Sequence, residues 1–157
     1  MNDRSIRILT TAGILSAAIF LLTAFVRIPL PAGYLNLGDV GVFLVALLLP
    51  AGWAALCAGV GSALADLIGF PLYAPITFAV KGLTALVFGL LWKKLSGKLR
   101  YLAFLAVLIV PLGYFAFEII VYANFAWADL PMNLLQSAVG AALAFAIDRA
   151  TKSRFCI

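Results

Sequence analysis

Six polar side chains stand out in this chain because of where they fall. Asp39, Asp66, Lys81, Glu118, Asn133 and Gln136 each lie inside, or at the end of, a long apolar run. A charge in hydrocarbon costs about 3 kcal/mol or more unless it is paired or solvated. Carboxylates, an ammonium and two amides placed in this way point either to a shared polar cavity or to a structural cluster, Asp66 or Glu118 pairing with Lys81. Three acids against one lysine leave two surplus negative charges, which favours a polar or cationic ligand, a protonated carboxyl or wider water access. The chemistry is that of recognition. The chain has no His, so the commonest general base and metal ligand is missing. Cys57 and Cys156 lie in an apolar run and in the tail, with no disulfide framework or metal spacing. Gly59-Val60-Gly61 sits in the middle of an apolar run, where it serves helix packing and not a phosphate. No metal and no cofactor are expected.

The elements that must hold these residues follow from composition. Of 157 residues, 66% are apolar and 11% charged, with mean hydropathy +1.16. A water-soluble fold of this size could not bury so much apolar surface. The reading is an all-α membrane protein, multi-pass in the cell membrane, forming a single domain over residues 1–157. Six spans of about 20 residues fit near Ile6–Val26, Asp39–Leu49, Gly52–Gly69, Ala74–Leu91, Tyr101–Ala123 and Leu130–Ile147. The second is short, leaving a tilt, an earlier start near Leu35 or a partly re-entrant course open. Pro29, Pro31 and Gly33 break the chain after the first span, Pro50 turns it after the second, Pro71 and Pro75 bracket the third link, and Pro131 opens the last span. The first run, behind Arg4 and Arg7, is too long for a signal peptide and has no clear cleavage site, so it reads as a retained helix.

Basic residues set the orientation. Arg4, Arg7, Lys93, Lys94, Lys98, Arg100, Arg149, Lys152 and Arg154 are nine of the eleven, and all lie on the inner side if both termini are cytoplasmic. Arg27 alone lies in an outer link, and Lys81 within a span. This asymmetry predicts both termini in the cytoplasm. It also explains the pI of about 9.5 as a topology signal, so nucleic acid is not an expected partner. In this orientation the intramembrane polar residues lie within roughly 10 Å of the outer boundary, where a cavity would open outward. Small residues recur on the first helix as the pairs Ala12/Ser16 and Gly13/Ala17. They read as internal packing or as a docking face for a partner membrane protein.

Three runs then become familiar: Leu35-Asn36-Leu37-Gly38-Asp39, Gly59-Val60-Gly61-Ser62-Ala63-Leu64-Ala65-Asp66, and Tyr73-Ala74-Pro75-Ile76-Thr77-Phe78-Ala79-Val80-Lys81-Gly82. Together they resemble the substrate-binding S component of energy-coupling factor (ECF) vitamin transporters, in the subgroup for hydroxymethylpyrimidine and pyridoxine-like compounds. The resemblance is closest over Ile6 to Leu91. It implies six helices, a vitamin pocket near the outer face and no ATPase or other enzymatic activity. It also implies partners: a transmembrane coupling protein and two cytoplasmic ABC ATPases. On the same ground Asn36, Asp39, Asp66, Thr77 and Lys81 become family positions, and the first-helix residues Ala12, Gly13, Ser16 and Ala17 become the docking face.

The expected function is therefore capture of a small vitamin or precursor from outside. The link carrying Pro29, Pro31, Gly33 and Tyr34 would act as a lid. Tyr34, Phe70, Tyr73, Tyr122 or Phe125 would stack on a ring, and Glu118 would bind an amino or ring-nitrogen donor. Expected substrate contacts are thus Asn36, Asp39, Asp66, Tyr73, Thr77, Lys81, Glu118, Tyr122, Asn133 and Gln136. A structural protein of a cell-shape complex, a stand-alone secondary transporter and a membrane enzyme are the competing readings. The last lacks a paired-aspartate diphosphate site, a zinc motif and any His.

Overall fold

The computed structural model describes residues 3–30, 33–122 and 126–151, without the side chains of Arg4 and of residues 27–35. Pro31, Ala123, Phe125, Lys152, Arg154 and Cys156 lie outside the described residues, as do the side chains of Arg27, Pro29, Tyr34 and Leu35. Six α-helices are described: α1 (Asp3–Ala24), α2 (Gly38–Leu48), α3 (Ala51–Gly69), α4 (Ala74–Lys94), α5 (Ile109–Val121) and α6 (Ala126–Thr151). A 3₁₀ turn, Pro71–Tyr73, leads into α4, and a longer 3₁₀ segment, Gly97–Leu108, leads into α5. Five of these stretches are long and apolar enough to cross a membrane: Ser5–Ala24, Ala51–Gly69, Pro71–Lys94, Gly97–Val121 and Ala126–Thr151. α2 has 11 residues and rises only about 16 Å, against a hydrocarbon core of about 30 Å.

The helical run breaks after α1, and the link that follows forms a two-stranded ribbon. Strands β1 (Arg27–Leu30) and β2 (Gly33–Asn36) pair antiparallel, with Arg27 opposite Asn36 and Pro29 opposite Tyr34. One difference concerns Pro131. The sequence suggests that it opens the last span, yet α6 begins at Ala126 and carries Pro131 inside it. Proline removes the N–H that would bond the Trp127 carbonyl, and the helix continues on both sides of that gap. Pro111 behaves conventionally. It is the third residue of α5, at the point where the 3₁₀ segment gives way to the α-helix, and its fixed φ suits a first helical turn.

Burial is the reverse of a soluble domain. Ile14, Ile68 and Ile120 are 66%, 72% and 84% exposed, while Asp39, Thr77, Lys81, Thr84 and Glu118 are buried. Apolar side chains outward and polar groups inward are what a hydrocarbon solvent demands. The helices pack through small residues. A Cβ on Gly59 would lie 2.9 Å from the Phe78 carbonyl oxygen, so the backbones of α3 and α4 approach this closely only because that atom is absent. Gly59→Leu is expected to cost about 1–3 kcal/mol, read as a lowered thermal midpoint in detergent. A midpoint equal to wild type would show that α3 and α4 separate freely.

The small residues of α1 divide between two faces. The Ser16 hydroxyl donates to the Cys57 carbonyl at 3.2 Å and the Cys57 thiol to the Ala12 carbonyl at 3.1 Å, so Ala12 and Ser16 face α3. Gly13 and Ala17 are exposed, with nothing within 4 Å of a Cβ placed on Gly13. The two pairs cannot both be a docking face, because consecutive helical residues point about 100° apart.

Candidate functional site

One end of the bundle brings the polar residues together. The C-terminal end of α3 supplies Asp66, the first half of α4 Thr77 and Lys81, and the end of α5 Glu118. The first turns of α6 supply Asn133 and Gln136, and Asn36 stands at the end of β2. These side chains line a cavity of about 290 Å³ together with Tyr73 and Tyr122. Nine of the ten substrate contacts expected from the sequence thus border one space. The tenth, Asp39, is not in the lining and bonds instead to two residues that are, Lys81 and Gln136.

Asp39 and Lys81 form a buried ion pair. The sequence offered Asp66 or Glu118 as the lysine's partner; the structure corrects this, because α2 begins beside the middle of α4. Gln136 Nε2 donates to Asp39 Oδ2 at 3.2 Å, and the Asn36 backbone N–H donates to Gln136 Oε1 at 3.0 Å. The Asn36 side chain in turn accepts the Gly38 N–H at 2.9 Å. A ladder of four residues therefore ties the ribbon to α6, α2 and α4. The close approach depends on Gly140, where a Cβ would fall 2.6 Å from the Asp39 Cβ. Lys81 Nζ also lies 5.3 Å from the centroid of the Tyr114 ring, within range for a cation–π contact.

A second chain runs through Thr77. Its hydroxyl donates to Asp66 Oδ2 at 2.5 Å and lies 2.9 Å from the Tyr114 hydroxyl. A threonine carries one hydroxyl proton. With that proton on Asp66, Tyr114 must be the donor to Thr77, so the chain has a direction: Tyr114 to Thr77 to Asp66.

Glu118 differs from the other acids. It is 4% exposed, and Oε1 accepts the Tyr73 hydroxyl at 3.3 Å. Oε2 has no hydrogen-bond partner among the described residues. An unpaired buried acceptor costs about 1–3 kcal/mol, and more for a charged group. Beside it stands an aromatic wall. The Tyr73 and Tyr122 rings stack at 6.3 Å with planes 15° apart, and Phe117 meets Tyr73 edge-on at 5.2 Å.

The cavity also contains residues the sequence reading left out: Thr23, Tyr114, Asp129 and Met132. Phe70, expected to stack on a ring, lines it too. Tyr114 carried a usable signal, since Tyr114, Glu118 and Tyr122 follow at four-residue steps and share one helix face. Asp129 was hidden by Pro131, which placed it in a link instead of a helix. Asp39 and Lys81 cancel, leaving Asp66, Glu118 and Asp129 as formal negative charges at this cavity. Among the described residues no three of His, Cys, Asp or Glu converge as a metal cage would need.

Comparison with known proteins supplies the family. Residues 3–152 match the family described as ECF-type riboflavin transporter, S component. A protein of Pyrococcus woesei, described as an uncharacterized protein in the gap 3' region, is 35% identical over 128 residues, covering 78% of this chain and 86% of the relative. With nearly every residue matched, and apolar helices enclosing a polar cavity, this multi-pass membrane chain belongs to the S-component family, the substrate-binding subunits of ECF transporters.

Proposed function

We propose that the chain captures a one-ring heteroaromatic vitamin or precursor, of the hydroxymethylpyrimidine or pyridoxine kind, from the outer face of the membrane. The observation that carries this reading is the buried, unpartnered Glu118 Oε2 beside the Tyr73–Tyr122 stack. An ionised carboxylate accepts strongly from an amino or protonated ring nitrogen, and flat rings stack on tyrosine. The volume of about 290 Å³ is at the small end for ligand sites, which favours one ring over three. Riboflavin is the second reading, favoured by the name of the matched family.

Calorimetric titration of the purified protein with hydroxymethylpyrimidine, pyridoxine and riboflavin tests both. Saturable heat with a one-ring compound and none with riboflavin is expected. The opposite result selects riboflavin, and no heat with any of the three removes the vitamin reading.

In this reading six spans cross the membrane with both termini inside, supported by the distribution of Lys and Arg. The β1–β2 ribbon serves as the lid, tethered through Asn36 to Gln136. Energy comes from a transmembrane coupling protein carrying two ABC ATPases, docked on the exposed Gly13/Ala17 face of α1. Gly13→Trp and Ala17→Trp are expected to leave vitamin binding intact and to lower uptake at least about tenfold when the coupling module is co-expressed. Ala12→Trp, by contrast, should disturb the α1–α3 packing and the fold itself. Undiminished uptake by a strain lacking the ATPases would select the stand-alone transporter instead.

A further inference from the structure

At the other end of the helices a second cavity, of about 270 Å³, opens between α4, the 3₁₀ segment and the C-terminal part of α6. Trp92 lies 11 residues beyond Lys81, roughly 16 Å along the α4 axis, so the two cavities are separate. This one is lined by Trp92, Arg100, Tyr101, Phe145, Asp148 and Arg149. Its two guanidinium groups are held in place before any ligand arrives. Arg100 lies over the Trp92 ring at 5.1 Å and Arg149 over the Phe145 ring at 5.0 Å. Arg149 Nη2 also donates to the Tyr101 hydroxyl at 3.1 Å.

Arg100 Nε is buried and without a hydrogen-bond partner among the described residues. Asp148 is buried in the same lining, so two guanidiniums against one carboxylate leave a formal charge of one positive. Lys94 and Lys98, both exposed, lie on the α4 end and the 3₁₀ segment that supply Trp92 and Arg100 and raise the positive charge of this end of the bundle. Tyr101 is 45% exposed, and in the proposed orientation it falls in the inner aromatic belt at headgroup depth.

Planar guanidiniums fixed by aromatic stacking match phosphate oxygens in a bidentate fork. Basic pockets between helices at this level suit anionic headgroups. We propose that this cavity binds a phosphate-bearing anion, supplied at this depth by the headgroup of an anionic phospholipid. Arg100 would donate through its unused Nε and Arg149 through the guanidinium that Tyr101 steadies.

Native mass spectrometry of the protein incubated with phosphatidylglycerol or phosphatidylcholine tests this, with a parallel thermal-shift series in inorganic phosphate. Wild type is expected to retain phosphatidylglycerol over phosphatidylcholine. Arg100→Gln combined with Arg149→Gln is expected to lower that retention about thirtyfold, with vitamin titration unchanged. Stabilisation by inorganic phosphate without retention of phosphatidylglycerol would support the phosphate site and assign it to a free anion. Equal retention of both lipids by wild type, with no stabilisation by phosphate, overturns the proposal. So does undiminished retention in the double variant. Should the double variant not fold, Arg149→Gln alone is read against the wild-type lipid preference, and an unchanged preference is again a refutation.

Discussion

Replacing Asp39 by Asn is expected to cost about 3–5 kcal/mol of stability, because it leaves the Lys81 ammonium buried without its counter-charge. Lys81 is 4% exposed and Asp39 1%, so water replaces little of the lost partner. The same change weakens the acceptor for Gln136 Nε2, and through Gln136 the tether to Asn36 on the ribbon. Combining Asp39→Asn with Lys81→Met removes both charges and is expected to recover most of the loss, since a buried pair replaced by neutral groups is often tolerated. Thermal midpoints of the two single variants and the double variant in one detergent form the cycle. If the single and double variants were equally unstable, the pair would not be the source of the effect.

Glu118→Gln is expected to behave in the opposite way. Hydrogen bonds to charged groups are worth about 1.5–3 kcal/mol, so vitamin affinity should fall roughly 10- to 100-fold. The empty protein should be as stable as wild type or more so, because the substitution removes a buried charge whose Oε2 has no partner among the described residues. Weaker binding with retained or raised stability is the mark of a group kept for its ligand. Calorimetry and thermal unfolding of one preparation read both quantities. Loss of stability with unchanged affinity would make Glu118 a packing element of α5 and end its role in recognition.

These two acids show how far the sequence reading extends. Both are conspicuous in the chain because hydrocarbon penalises charge, so any ionisable residue in an apolar run demands a reason. Their fates could not be distinguished there. Asp39 is consumed by an internal pair, while Glu118 faces the cavity with an open acceptor. The deciding quantity is which helices lie side by side. α2 packs against both α4 and α6, and that places the start of α2, not the end of α3 or α5, beside Lys81. The same holds for Asp129, which looked like a link residue before Pro131 and lies instead in the first turn of α6.

The membrane class, the helix count and the approximate ends of the spans follow from one-dimensional information alone. Apolar run length is set by bilayer thickness, and breaks are marked by Pro and Gly. The level at which the polar groups lie follows as well, since rise per residue is constant along a helix. Rotation about each helix axis does not. It decides that Ala12 and Ser16 face α3 while Gly13 and Ala17 stay exposed, that Tyr114 joins Thr77 and Asp66, and that Arg100 and Arg149 meet over one cavity. Rotation is fixed by contacts among side chains far apart in the chain, and no local pattern in an almost uniformly apolar sequence encodes it.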